Sequence, residues 1–481
     1  MKKLTHVFLF AFLGGLVMLN SCEEDETFAV PSLTAPSETS VVIEETVEME
    51  FSYTAAAGFK SSSVQATNGT ATIANDGTSG STSGTIKVNF TAGTNVGAGS
   101  VTLSVTDNQN QSYQSTAVLT IAKEVAVTAN ISASTTWEKG KIYVLKSRIA
   151  VLSGVTLTIE AGVIVKGEAG TGSNATALII ARGAKIMAEG TASSPIIFTS
   201  VADKIEPGQV ASPNLDPTLN GLWGGLIILG NAPISVKTGE TAQIEGIPAS
   251  DQNGLYGGAN AADNSGVIKY VSIRHGGANI GEGNEINGLT LGGIGSGTVI
   301  ENVEIVSNQD DGIEWFGGAV NVKNALVWNT GDDAIDADQK WLGTLDNFIV
   351  INPGDKCFEL DGPEGAAATA NYTLKNGSVQ AKNAVGLVDN DPNTNVNMEN
   401  IYFFDIKAGQ TFDQIPTDYV SVLKNFQVTL PAGTVVTDFF KGGSDAFTTA
   451  VAANSNTVGA DKAKFAGWSW AAVAGALASF K

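Results

Sequence analysis

A chain of 481 residues with 55 Gly, 16% charged and 7% aromatic residues is long enough for two or three domains and too low in charge to be disordered. Its formal net charge of −21 disfavours nucleic acid and polyanionic ligands as partners unless a cation bridges them. Two cysteines rule out a disulfide framework.

The chain opens on a processing signal, residues 1–21. Lys2-Lys3 precede an apolar stretch from Val7 to Leu19 that is too short to span a bilayer permanently. Leu19-Asn20-Ser21-Cys22 resembles a bacterial lipoprotein lipobox, which implies cleavage and acyl chains, palmitate among them, on Cys22. Residues 22–26 read as an acidic tether. Glu23-Glu24-Asp25-Glu26 resembles the surface-export signal of Bacteroidetes lipoproteins. The expectation is an outer-membrane protein held by its N-terminal lipid and facing outward; an ordinary periplasmic lipoprotein is the alternative. Loss of the signal leaves 25 basic against 48 acidic residues, a net −23. With Cys22 acylated, Cys357 has no partner and reads as a small residue in a packed wall.

Residues 27–124 read as a β-sandwich. Alternating runs such as Thr85-Ile86-Lys87-Val88-Asn89-Phe90 and Val101-Thr102-Leu103-Ser104-Val105 sit between turn clusters such as Asn75-Asp76-Gly77. The hairpin from Val105 to Tyr113 resembles the last hairpin of bacterial immunoglobulin-like modules. The segment carries no chemistry and reads as a spacer.

Residues 125–440 read as a solenoid. Asn308-Gln309-Asp310-Asp311-Gly312-Ile313-Glu314 recurs as Thr330-Gly331-Asp332-Asp333-Ala334-Ile335-Asp336 and as Pro353-Gly354-Asp355-Lys356-Cys357-Phe358-Glu359, in steps of 22 and 23 residues. Short strands at that period, with no helical periodicity between them, predict a parallel β-helix. Glycine is expected at the tight corners, with Asn or Asp beside it bonding the turn amides. Loops interrupt the coils at 203–220 and 248–265 and are candidates for shaping a binding groove. Residues 441–481 are expected to cap the open end.

Within the coils, alternation sends Ile313, Ile335 and Phe358 inward. Glu314, Asp336 and Glu359 then form an outward column, with Asp338 and Asp361 two residues further along. Like charges about 4.8 Å apart repel unless hydrated, protonated or bridged. These five carboxylates are the candidate metal ligands, with calcium the fitting ion; no cofactor is otherwise required. A solvated acidic face with turn-capping aspartates is the plainer reading. Trp223, Trp315 and Trp341 are candidate sugar platforms, with core packing as the alternative. Arg274-His275 reads as a turn-stabilising pair.

Several motifs carry a family resemblance: Ile159-Glu160-Ala161-Gly162, Ala181-Arg182-Gly183-Ala184, Leu222-Trp223-Gly224-Gly225, Ser272-Ile273-Arg274-His275-Gly276-Gly277 and Asp310-Asp311-Gly312-Ile313-Glu314. Together they resemble a right-handed β-helix lipoprotein family common in Bacteroidetes, similar to a leptospiral outer-membrane lipoprotein family. The resemblance covers about 135 to 445. It implies an all-β, pectin-lyase-like fold and an outer-membrane address, but no activity. Asp311, Asp332 and Asp333 also resemble the acidic coils of polygalacturonases, where paired carboxylates cleave glycosidic bonds. The Gly-His-Gly and Arg-Ile-Lys of that pattern do not follow here, and Arg274-His275-Gly276 comes before the aspartates. The leading expectation is therefore a non-catalytic surface binding or adhesion protein for a glycan or an envelope protein; a polysaccharide-degrading enzyme is the second.

Overall fold

The computed structural model describes residues 27–280, 286–365, 371–418 and 421–481. Cys22 and the acidic tether lie outside them. The chain divides between Ala122 and Lys123 into two compact units.

In the first unit, strict alternation builds two facing sheets. Ser83–Ala92 shows why: Ile86, Val88 and Phe90 are fully buried, while the residues between them keep some solvent contact. One sheet orders Ser32–Thr34, Thr46–Thr54, Ser83–Ala92 and Gly69–Asn75, all antiparallel. The other orders Thr39–Val42, Ser112–Ala122, Gly97–Asp107 and Phe59–Thr67, with only the first pair parallel. Their inner faces share one core around Phe51, Phe90 and Leu103, giving an immunoglobulin-like sandwich.

The second unit is a right-handed parallel β-helix. Its first face is an eight-stranded parallel sheet running from Arg148–Val151 through Leu289–Gly292, Ile313–Gly318, Ile335–Trp341 and Lys356–Leu360 to Gly386–Asn390. The remaining wall is one bent sheet. From Gly266–Arg274 onward each of its long strands turns a corner at one residue with positive φ: Tyr270, then Asn302, Asn324, Asn347, Asn376 and Asn400. Glycine was expected at these corners. Asparagine stands there because it tolerates the left-handed region and its amide can also bond along the stack. Asn324 Nδ2 donates to Asn302 Oδ1 at 2.9 Å and Asn347 Nδ2 to Asn324 Oδ1 at 2.7 Å. Asn376 breaks this row by donating to Asp346 Oδ1, and Asn400 resumes it by donating to Asn376.

The residue before each corner carries a charge. Glu189, Lys269, Glu301, Lys323, Asp346, Lys375, Glu399 and Lys424 stand side by side on successive coils, alternating in sign throughout.

Several segments cover the outside of the solenoid, among them the 203–220 loop, whose Pro217 and Leu219 carbonyls bond Asn329 and His275. A loop containing Ile244, Ile247 and Tyr256 packs on the eight-stranded face against Ile179, Ile227 and Phe316. The C-terminal segment adds one strand, Thr448–Ala450, to the last coil. It was expected to cap the open end. Most of it instead runs back as a strap along the corner halves of the long strands, burying Phe465, Trp468, Trp470 and Phe480 against Trp328, Ile351 and Phe404. The apolar outward residues at those positions require such a cover.

Candidate carboxylate site

The acidic residues meet on the outer side of the eight-stranded face. Parallel register places Thr290, Glu314, Asp336, Glu359 and Asp389 in one column. Asp311 and Asp333 stand three residues earlier, at the turns that feed these strands. They are tied to the backbone of the following coil: the Asp333 amide donates to Asp311 Oδ1 at 3.0 Å, and the Lys356 amide to Asp333 Oδ1. Each also shares a hydrogen bond with a column acid one coil on, Asp311 with Asp336 and Asp333 with Glu359.

This column was expected to be solvated if no ion filled it. It is enclosed at Glu314 and at the turn acids beside it, and partly open elsewhere: Glu314 is 5% exposed, Asp311 8% and Asp333 1%, while Asp336, Glu359, Asp338 and Asp361 keep some contact with solvent. The cover is the loop above, whose Tyr256 hydroxyl accepts from Gln339 Nε2 at 2.8 Å and whose Glu245 adds its own charge near Glu314 and Asp338. Burial, reinforced by neighbouring carboxylates, pushes Asp311, Glu314 and Asp336 well above the usual carboxylate range. Burial and the Glu359 hydrogen bond push Asp333 up to about 10. Burial raises Asp338 to about 7 and Asp361 to about 6, with neighbouring acids adding to both.

Carboxylate oxygens of Asp311, Glu314 and Asp336 lie within 4.8 Å of one another, the spacing of a cation's coordination shell. Asn287, one coil back and 2% exposed, donates through Nδ2 to Glu314 Oε2; its Oδ1 is buried with no donor, as is Asp336 Oδ1. These surplus acceptors are the chemistry a hard cation satisfies. Of the five expected metal ligands the structure thus gathers Glu314 and Asp336. Asp338, Glu359 and Asp361 stand outside that group, because they lie along the strand or one coil further. Asp311, catalytic only under the second, enzymatic expectation, joins it. Asn287 was missed, since its coil lies behind a glycine-rich interruption that hides the 22-residue period. Asp332 is exposed, and its oxygens approach those of Asp333 and Asp355 within 4.8 Å.

The three tryptophans offer no ring to a sugar. Trp315 and Trp341 stack on each other inside the solenoid with centroids 4.4 Å apart, and Trp223 is enclosed with Nε1 donating to the Arg274 carbonyl at 2.7 Å. Parity held the answer: Trp315 is two residues from inward-facing Ile313 and shares its side of the strand. Cys357 is buried in the same core, and burial pushes its thiol up, which leaves it inert. Arg274, read from sequence as half of a turn-stabilising pair, is fully buried beneath the strap, 5.0 Å over the Trp470 ring.

Stacked parallel coils with an acidic row on the outer side of one face define a β-helix of the pectate-lyase-like class. The chain belongs to the family described as the pectate-lyase like beta helix domain, whose model matches residues 129–472. Among solved structures, a Yersinia enterocolitica family 28 exopolygalacturonase overlaps 88% of this chain and 96% of its own, at 11% identity and a TM-score of 0.24. An overlap that loose transfers no residue's role. No curated protein matches the chain.

Proposed function

We propose that this is a lipid-anchored outer-membrane protein, displayed at the cell surface, whose β-helix binds a glycan or an envelope protein without cleaving it. The reading of the address rests on the Cys22 lipobox and the acidic run behind it. The observation that supports binding over catalysis is the bonding of the central aspartates. Asp311 and Asp333 each commit Oδ1 to a backbone amide of the following coil and lie buried, where a hydrolase would hold its carboxyls open beside a substrate. Calcium at Asp311, Glu314, Asp336 and Asn287 completes the reading, and lets an acidic molecule hold an acidic ligand.

One observation favours the second reading, polysaccharide cleavage. Burial pushes Asp333 up to about 10 while exposed Asp332 lies beside it, two carboxyls in unlike surroundings such as acid–base catalysis uses. A glycan screen on residues 27–481, with calcium and with chelator, separates the two when binding and released reducing ends are scored together. Binding without release, weakened by chelator, is the expected result. Release that disappears in Asp333→Asn would make this an enzyme.

A further inference from the structure

Several stretches of the solenoid wall are covered by the chain itself, among them one by the Tyr256 loop, one by the 203–220 loop and one by the C-terminal strap. The stretch bearing the alternating charges is not: every side chain of that row, from Glu189 to Lys424, keeps contact with solvent. Lys375 pairs with Asp346 at 3.6 Å and Lys424 with Glu399 at 2.7 Å. Glu189, Lys269, Glu301 and Lys323 have no ion pair among the described residues. A groove lined by Glu301, Lys323, Asp346 and Lys375 runs along the middle of the row.

This row is self-complementary in one particular way. A two-fold axis reverses the order of eight alternating charges, and with an even number of positions the reversed row is opposite in sign at every step. Coil spacing is the same in both copies, about 4.8 Å, so the two rows stay in step over roughly 35 Å. The row also sums to zero on a molecule of net −21, so two copies can approach along it without net repulsion between the rows. We propose that this face is where two copies of the chain meet, across a two-fold axis between Lys323 and Asp346. Lys323 then faces the partner's Asp346, Glu301 the partner's Lys375, Lys269 the partner's Glu399, and Glu189 the partner's Lys424. Such a contact is isologous, closes at two copies, and is polar and transient in class.

The test uses residues 27–481, which hold every described residue of both compact units, in sedimentation velocity at low and high salt. A dimer is expected at low salt, weakening about tenfold or more as salt screens the row. Lys323→Glu and Asp346→Lys should each abolish it, since each puts two like-charge contacts at the axis. Mixing the two variants should restore a dimer, because Glu then meets Lys at one contact and Asp meets Lys at the other. A role confined to one chain predicts that mixing changes nothing. Monomer at every concentration in low salt, or no recovery on mixing, overturns the proposal. Thermal melts of both variants establish that each is folded.

Discussion

On the proposed reading, protons and calcium compete for the same oxygens at Asp336 and Glu314. The folded state binds protons here more tightly than the unfolded chain, because burial and like-charged neighbours disfavour ionisation. That preference stabilises fully below the unfolded carboxyl value near about 4, and is lost as pH rises toward the folded values. Asp338 marks about 7 and Asp333 about 10 on that scale. We expect the calcium-free protein to melt at steadily lower temperature from about pH 5 to pH 9, and calcium to restore most of the loss at the alkaline end. Melting curves across pH, with chelator and with calcium, check both halves. Asp336→Asn removes one of the repelling charges without changing shape. It should raise the calcium-free stability at alkaline pH by about 1–2 kcal/mol and shrink the calcium response. An undiminished calcium shift in that variant would move the ion elsewhere.

The corner asparagines act as a row rather than singly. Asn324 gives one side-chain bond and receives another, and holds φ at +58°. Asn324→Ala should cost about 2–4 kcal/mol, from two lost bonds and a left-handed alanine; Asn324→Gly should cost less, since glycine keeps the backbone unstrained. Chemical denaturation of the two variants separates these contributions. The row also marks how far the sequence could be read. A 22- and 23-residue step between identical motifs sets Ile313, Ile335 and Phe358 in register, and the strands pair there. What the period could not supply was contact between distant segments. The Tyr256 loop that encloses Glu314 and the strap that encloses Trp328 come from insertions and the C-terminus, whose packing leaves no periodic trace. The asparagines themselves were legible in hindsight: each directly follows a charged residue in the middle of a strand that must bend.

Two compact units meeting at residues 122 and 123 should unfold as two transitions in calorimetry, and calcium should move one of them. Within the second unit the strap is held at Trp470. Its ring lies over Arg274 and against Trp328, while Glu304 accepts the Trp470 and Ala471 amides at 2.9 Å each. Trp470→Ala should cost about 3–5 kcal/mol and open the strap to limited proteolysis before the coils. The alternating charges have a last consequence, which concerns how such a molecule can change its length. Removing a single coil sets Glu301 beside Asp346, a like-charged pair on adjacent strands. Removing two sets it beside Lys375 and keeps the alternation intact. Over this stretch the solenoid can therefore grow or shrink by coil pairs at no electrostatic cost, while each odd step leaves one mismatch, so its natural unit of variation is two turns of the helix rather than one.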